Sequence, residues 1–252
     1  MVTINAVAIV TGGASGTGAA LCRQLAKDQI FVVIADVDLP GAQRLRDEIG
    51  QCAEAVFIDV SDGLAVSQLV TCTANKYGRL DYMVNNAAVI TKGAAHELDW
   101  QRTLDVNLGG VVSGAIAAYS VMRVQRFGHI VNVASLGALC YAPLHLPYIT
   151  AKSAVLGFSI ALRPEAQRYG VKVSAVCPGN IDTAMTWDAK LSRLTPAISP
   201  DRAAAEIIRG MRRNTGVMVF PFYVRLLWRI ERASPFVGSM LRQRIVKNSF
   251  SK

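Results

Sequence analysis

Two hydrophobic patterns alternate along the chain. A mostly apolar, unbroken run covers Thr3–Val10, the mark of a strand buried on both faces of a parallel sheet. Glycines follow at once, and then Leu21, Leu25 and Ala26 fall on one face of an amphipathic helix. The alternation repeats. It predicts strands at 30–35, 54–58, 81–84, 129–134, 171–176 and 216–219, with helices near 40–50, 63–77, 99–125, 148–169 and 201–213. Strands separated by helices of ten or more residues imply βαβ units, and so one doubly wound α/β domain with a parallel sheet. Residues 1–220 are expected to form it, with 221–252 as a tail extending the same domain. Pro164, inside the helix at 148–169, is expected to kink or break it.

Composition narrows the class. At 252 residues, 52% hydrophobic and 18% charged, disorder, collagen and coiled coil are excluded. The longest uncharged stretch, between Arg126 and Lys152, holds His129, Asn132, Ser135, Pro143, His145 and Pro147, which no lipid-facing helix would carry together. The first basic residue is Arg23, so no charged segment announces export, and a cytoplasmic chain is expected. Its five cysteines, at 22, 52, 72, 140 and 177, contain no CxxC and read as reduced thiols; the histidines at 96, 129 and 145 lack metal-ligand spacing. Charge is unevenly placed. Residues 1–201 hold 16 basic and 16 acidic side chains, whereas 202–252 hold 11 and 2, so the whole net charge of +9 lies in the last fifth. A nucleic-acid enzyme would carry that field around its active site, so no nucleic-acid partner is expected.

The turn Thr11-Gly12-Gly13-Ala14-Ser15-Gly16-Thr17-Gly18 joins the first strand to the first helix. Its glycines permit a tight turn and close backbone approach, and the helix N-terminus offers N–H groups and a positive dipole end to a pyrophosphate. Asp36 ends the second strand, 18 residues past Gly18, where a carboxylate accepts from both ribose hydroxyls and repels a 2′-phosphate. With no Arg or Lys at 13–17 or 37–39, NAD is favoured over NADP. Asp59-Val60 closes the third strand, near the adenine amino group or as a plain helix cap. Neither Ser15 nor Ser135 has the flanking glycines of a hydrolase elbow.

Tyr148 and Lys152 lie one helical turn apart on one face. A phenol acting near neutrality needs about 4 kcal/mol of preference for the phenolate, and a cation about 4 Å away supplies that order of magnitude. Ser135 ends strand five at the carboxyl edge, where its hydroxyl could hold a substrate oxygen. Asn107 lies within the long helix after strand four, and a buried amide there needs a partner or a water.

TGGASGTG, Asp36, Asp59-Val60, Asn85-Asn86-Ala87-Ala88, Asn107, Ser135, Tyr148-Ile149-Thr150-Ala151-Lys152 and Pro178-Gly179-Asn180-Ile181-Asp182-Thr183 resemble, in order and spacing over about residues 3–220, the short-chain dehydrogenase/reductase family. The resemblance implies a seven-stranded Rossmann-like sheet and hydride transfer between NAD and a secondary alcohol or ketone. It makes Tyr148 the acid/base, Ser135 the substrate-polarising residue, and Lys152 both a shifter of the Tyr148 pKa and a ribose ligand. Asn107 would hold a water relaying protons to Lys152. Asn86 and Ala87 would lie along the cofactor with Gly12, Ser15, Gly16, Thr17, Gly18, Pro178 and Gly179, and Ile181 and Thr183 would contact the carboxamide. Ala88 replaces the usual glycine of NNAG and adds one methyl group.

Met185, Trp187, Leu191 and Leu194 lie where this family covers its substrate and suggest an apolar one, such as a steroid, retinoid or lipid. The competing reading is a non-catalytic, NAD-sensing interaction protein. In the tail, Arg225, Arg229 and Arg232 form a stripe beside Phe222, Tyr223, Leu226, Leu227 and Ile230; Pro235 interrupts it, and 236–245 resume with Met240, Leu241, Arg242 and Arg244. That layout fits a subunit interface in a dimer or tetramer, or a peripheral membrane contact through 222–252.

Overall fold

The computed structural model describes residues 4–91, 99–140, 145–186, 196–234, 236, 239 and 240. Its strands are β1 (Val7–Thr11), β2 (Phe31–Asp36), β3 (Ala53–Phe57), β4 (Tyr82–Asn85), β5 (Gly128–Val133), β6 (Val171–Pro178) and β7 (Val217–Phe220). They form one sheet in the order β3-β2-β1-β4-β5-β6-β7, and every neighbouring pair is parallel. The first strand's ladder starts at Val7, not Thr3, and the Asp81 carboxylate accepts the Val7 N–H at 2.8 Å. The chain runs outward from β1 through β2 to β3, then crosses back to β4 on the other side of β1. That reversal opens a crevice at the carboxyl edge.

The helices are α1 (Gly16–Lys27), α2 (Leu39–Ile49), α3 (Gly63–Tyr77), α4 (Trp100–Leu104), α5 (Gly110–Gln125), α6 (Gly137–Cys140), α7 (Leu146–Gln167), α8 (Pro200–Arg212) and α9 (Phe222–Ala233). Alternate residues of β1 feed opposite cores, as the period of a strand demands. Ala8 and Val10 pack with Leu21, Leu25 and Ile207 of α1 and α8, while Val7 and Ile9 pack with Val66, Val70, Ala115 and Met122 of α3 and α5.

Two expectations need correction. The long helix near 99–125 is divided by a π-helical turn, Asp105–Gly109, between α4 and α5. Gly109 and Gly110 weaken the α-helix there, and a Cβ on Gly110 would stand 2.8 Å from Val60, so only glycine lets α5 close on the loop after β3. Pro164 does not break α7, which runs on to Gln167. Only its last turn follows the ring, and Arg163 anchors that turn to the carbonyls of Val173 and Asn214.

Candidate functional site

A cleft of ≈ 450 Å³ opens at the carboxyl edge of the sheet. All the residues singled out for cofactor or chemistry line it except Gly18 and Asn107. Gly18 acts from beneath: a Cβ there would sit 1.9 Å from the Gly12 oxygen, so α1 can approach β1 only with glycine at this place. Gly12 itself has φ +62°. Ser15 occupies the N-cap of α1 without a side-chain capping bond, which leaves the first N–H groups of the helix to a ligand.

Asp36 projects into the same turn. One carboxylate oxygen accepts from the Ala14 N–H at 2.9 Å, the other from the Asp38 N–H at 3.0 Å. Asp59 is satisfied locally: the Ser61 hydroxyl and N–H, and then the Arg102 guanidinium, hold its carboxyl below the usual range. Asn86 lines the cleft, but its amide donates to the Thr11 and Gly12 carbonyls at 3.0 and 3.1 Å, so it braces the glycine turn from behind.

At the chemical end, Ser135 follows β5 and its hydroxyl accepts the Gly137 N–H at 3.0 Å. Tyr148 lines the cleft with Ser135 close to its phenol. Lys152, one turn along α7, is 1% exposed; its Nζ lies 5.8 Å from the Tyr148 ring centre and donates to the Val133 carbonyl at 2.7 Å. Burial pulls the Lys152 ammonium down to about 8. Burial also raises the Tyr148 phenol, while the Ser135 hydroxyl pulls the other way. Desolvation thus works against the charged form of both side chains.

Asn107 is fully buried in the π-helical turn, where its amide donates to the Val89 carbonyl at 2.7 Å and accepts the Val89 N–H at 2.8 Å. Its side chain pins the loop after β4. Thr183 packs by Gly16, and Ile181 forms a bridge with Ile198, so the segment after β6 closes over the glycine turn. Met185 stands at the rim, 42% exposed. Trp187, Leu191 and Leu194 lie outside the described residues.

Two features escaped the sequence. Arg102 lines the cleft, and no spacing rule points to it. Asn85 and Asn132 face each other across β4 and β5 at 2.8 Å, and Asn132 continues to Ser159 at 3.0 Å. The signal was one amide in each of two mainly apolar strands.

The sequence model described as short chain dehydrogenase matches residues 6–193. A subunit of (2S)-[(R)-hydroxy(phenyl)methyl]succinyl-CoA dehydrogenase from Thauera aromatica is 37% identical over 73% of this chain and 76% of its own. The 3-oxoacyl-[acyl-carrier-protein] reductase of Chlamydia muridarum is 33% identical over 73% and 77%. Among solved structures, the 3-ketoacyl-(acyl-carrier-protein) reductase from Brucella melitensis, in complex with NADH, superposes with a TM-score of 0.79 at 27% identity, covering 86% of this chain and 95% of its own.

Proposed function

The chain belongs to the short chain dehydrogenase family, an oxidoreductase family that binds a nicotinamide cofactor, and from that premise we propose that it exchanges a hydride between NAD and an apolar secondary alcohol or its ketone. One observation carries the reading: Ser135, Tyr148 and Lys152 converge at one end of the cleft whose other end is built by Gly12, Ser15, Gly16 and Asp36. The uncapped start of α1 fits a pyrophosphate, and the crowding at Gly18 keeps the loop tight enough for it. Asp36 supports NAD over NADP, because its carboxylate stands at the end of β2 and the one guanidinium lining the cleft among the described residues, Arg102, is engaged electrostatically with Asp59 instead.

The bound nicotinamide supplies or accepts the hydride. The chain supplies the rest. Ser135 donates to the substrate oxygen and so fixes it beside the phenol. Tyr148 gives its Oη proton to that oxygen during ketone reduction and takes one back during alcohol oxidation. Lys152, braced by the Val133 carbonyl, keeps a positive charge within one turn of the phenol. Asn107 is a positioning residue that holds the Val89 loop at the cleft wall. Val89, Val106 and Met185 make that wall apolar, which supports an apolar substrate. The test is a panel of hydrophobic secondary alcohols assayed by NADH absorbance with NAD and NADP in parallel. No turnover on any of them would sink the proposal, and equal use of both cofactors would remove the role given to Asp36.

A further inference from the structure

The C-terminal helix α9 presents a divided surface. Val224 is its fully buried residue, packed where a Cβ on Gly179 would touch it. On the outer side Phe222, Leu226 and Ile230 recur every four residues and remain 75%, 49% and 37% exposed. Arg225, Arg229 and Arg232 are exposed as well. At 100° per residue these six share one arc of the helix, aliphatic and aromatic on one half and guanidinium on the other, while Glu231 falls on the opposite side. The arginines are held in place: Arg225 donates to the Val219 carbonyl at 2.6 Å, and Arg232 lies 5.6 Å from the Trp228 ring centre. Behind the basic half a cleft of ≈ 240 Å³ between α8, β7 and α9 adds Arg213, while Arg209 there is paired with Glu206 at 2.9 Å. Phe236 and Met240, 74% and 56% exposed, carry apolar surface further.

We propose that this face docks the protein on an anionic phospholipid surface, with the helix axis in the plane of the interface. The guanidiniums lie level with the phosphates, and Phe222, Leu226 and Ile230 enter the acyl boundary. Charge selects this occupant. A two-fold contact between copies of this face would bring one arginine row towards another, with no acidic residue on the arc to neutralise either. An anionic bilayer meets both halves of the arc. The docking stands independently of the oxidoreductase reading, but it has a consequence for it. Tyr223 donates to the Pro196 carbonyl at 3.0 Å and Val224, on the inner side of α9, packs beside Gly179 at the cleft wall, so a docked α9 stands between the bilayer and the cleft.

The test is sedimentation of the full-length protein with phosphatidylcholine vesicles, with and without phosphatidylglycerol, at low and high salt. Binding is expected only to the anionic vesicles and should fall with salt. The double variant Arg229→Gln/Arg232→Gln should lower the partition coefficient about thirty-fold. Phe222→Ser/Leu226→Ser should weaken it at every salt concentration. Melting temperature and mass in solution should match wild type in both variants. Failure to pellet with anionic vesicles, or equal pelleting with neutral ones, would overturn the proposal. So would loss of oligomer mass in the Phe222/Leu226 variant with no change in pelleting, which would give the face to a second copy of the chain.

Discussion

Replacing Gly18 by alanine tests whether the glycine turn is held open by steric necessity. In most helices the change stabilises, by about 1 kcal/mol. Here the new Cβ would stand 1.9 Å from the Gly12 oxygen and 2.8 Å from Asn86 Nδ2, against 3.4 Å for an ordinary contact. Something must move by about 1.5 Å, and both neighbours are backbone or fixed to it. Displacing the Gly12 carbonyl breaks its 3.1 Å bond from Asn86 and disturbs the 3.0 Å bond to Thr11. At about 1 kcal/mol for each bond and about 1–3 kcal/mol for overpacking, the cost is about 2–5 kcal/mol. For a domain of this size that lowers the melting temperature by about 5–20 °C. NADH affinity should fall with it, because the displaced carbonyl belongs to the loop that fits the pyrophosphate. Calorimetry and a titration of NADH fluorescence read the two effects. Gly157→Ala in α7 is the control: nothing stands within 4 Å of its Cβ position, so this variant should gain stability. A Gly18→Ala protein melting within about 2 °C of wild type with unchanged NADH affinity would refute the steric argument.

Tyr148→Phe should bind NADH within a few-fold of wild type and lose about 10²–10⁴ in turnover, the range for removing a general acid; steady-state kinetics that keep kcat within a few-fold would discard its role. Asp36→Ala removes a carboxylate acceptor, so NAD dissociation constants measured by titration should rise about ten- to a hundredfold while NADP changes less. His129 is buried, and its Nε2 lies 2.8 Å from the Ser174 hydroxyl, which itself donates to the Thr215 carbonyl, so Nε2 is the donor. Burial pulls its pKa to about 3 from 6.5, so the unfolded chain binds the extra proton first and stability drops as pH falls from about 6.5 towards 3. Urea midpoints at pH 7 and 5 should diverge in wild type and draw together in His129→Gln; parallel behaviour in the two proteins would show that other groups set the acid response.

The strands and most helices were readable because each is a local pattern whose meaning the parallel sheet does not alter. Strand β1 is buried along its whole length, as an unbroken apolar run in a two-sided sheet must be. What failed was set by distant contacts. The π-helical turn depends on Gly110 meeting Val60 and on Asn107 meeting Val89, 50 and 18 residues away along the chain, and hydrophobic periodicity carries no trace of either. The four residues of α6 are too few to show a period at all.

The candidate site divides in the same way. The glycine turn, Asp36 and the Tyr148–Lys152 pair were visible because their geometry is fixed within one turn or at one strand end. Their electrostatics were not. A pairwise argument gives Lys152 the power to lower the phenol, yet the pair lies where desolvation works against both charged forms at once, lifting Tyr148 and pulling Lys152 to about 8. Burial of that kind is a property of the assembled sheet and helices. Lys152 meets the Val133 carbonyl of β5, 19 residues away along the chain, and the Cys177 thiol of β6 stands close to both side chains, so no spacing within Tyr148–Lys152 reports their desolvation.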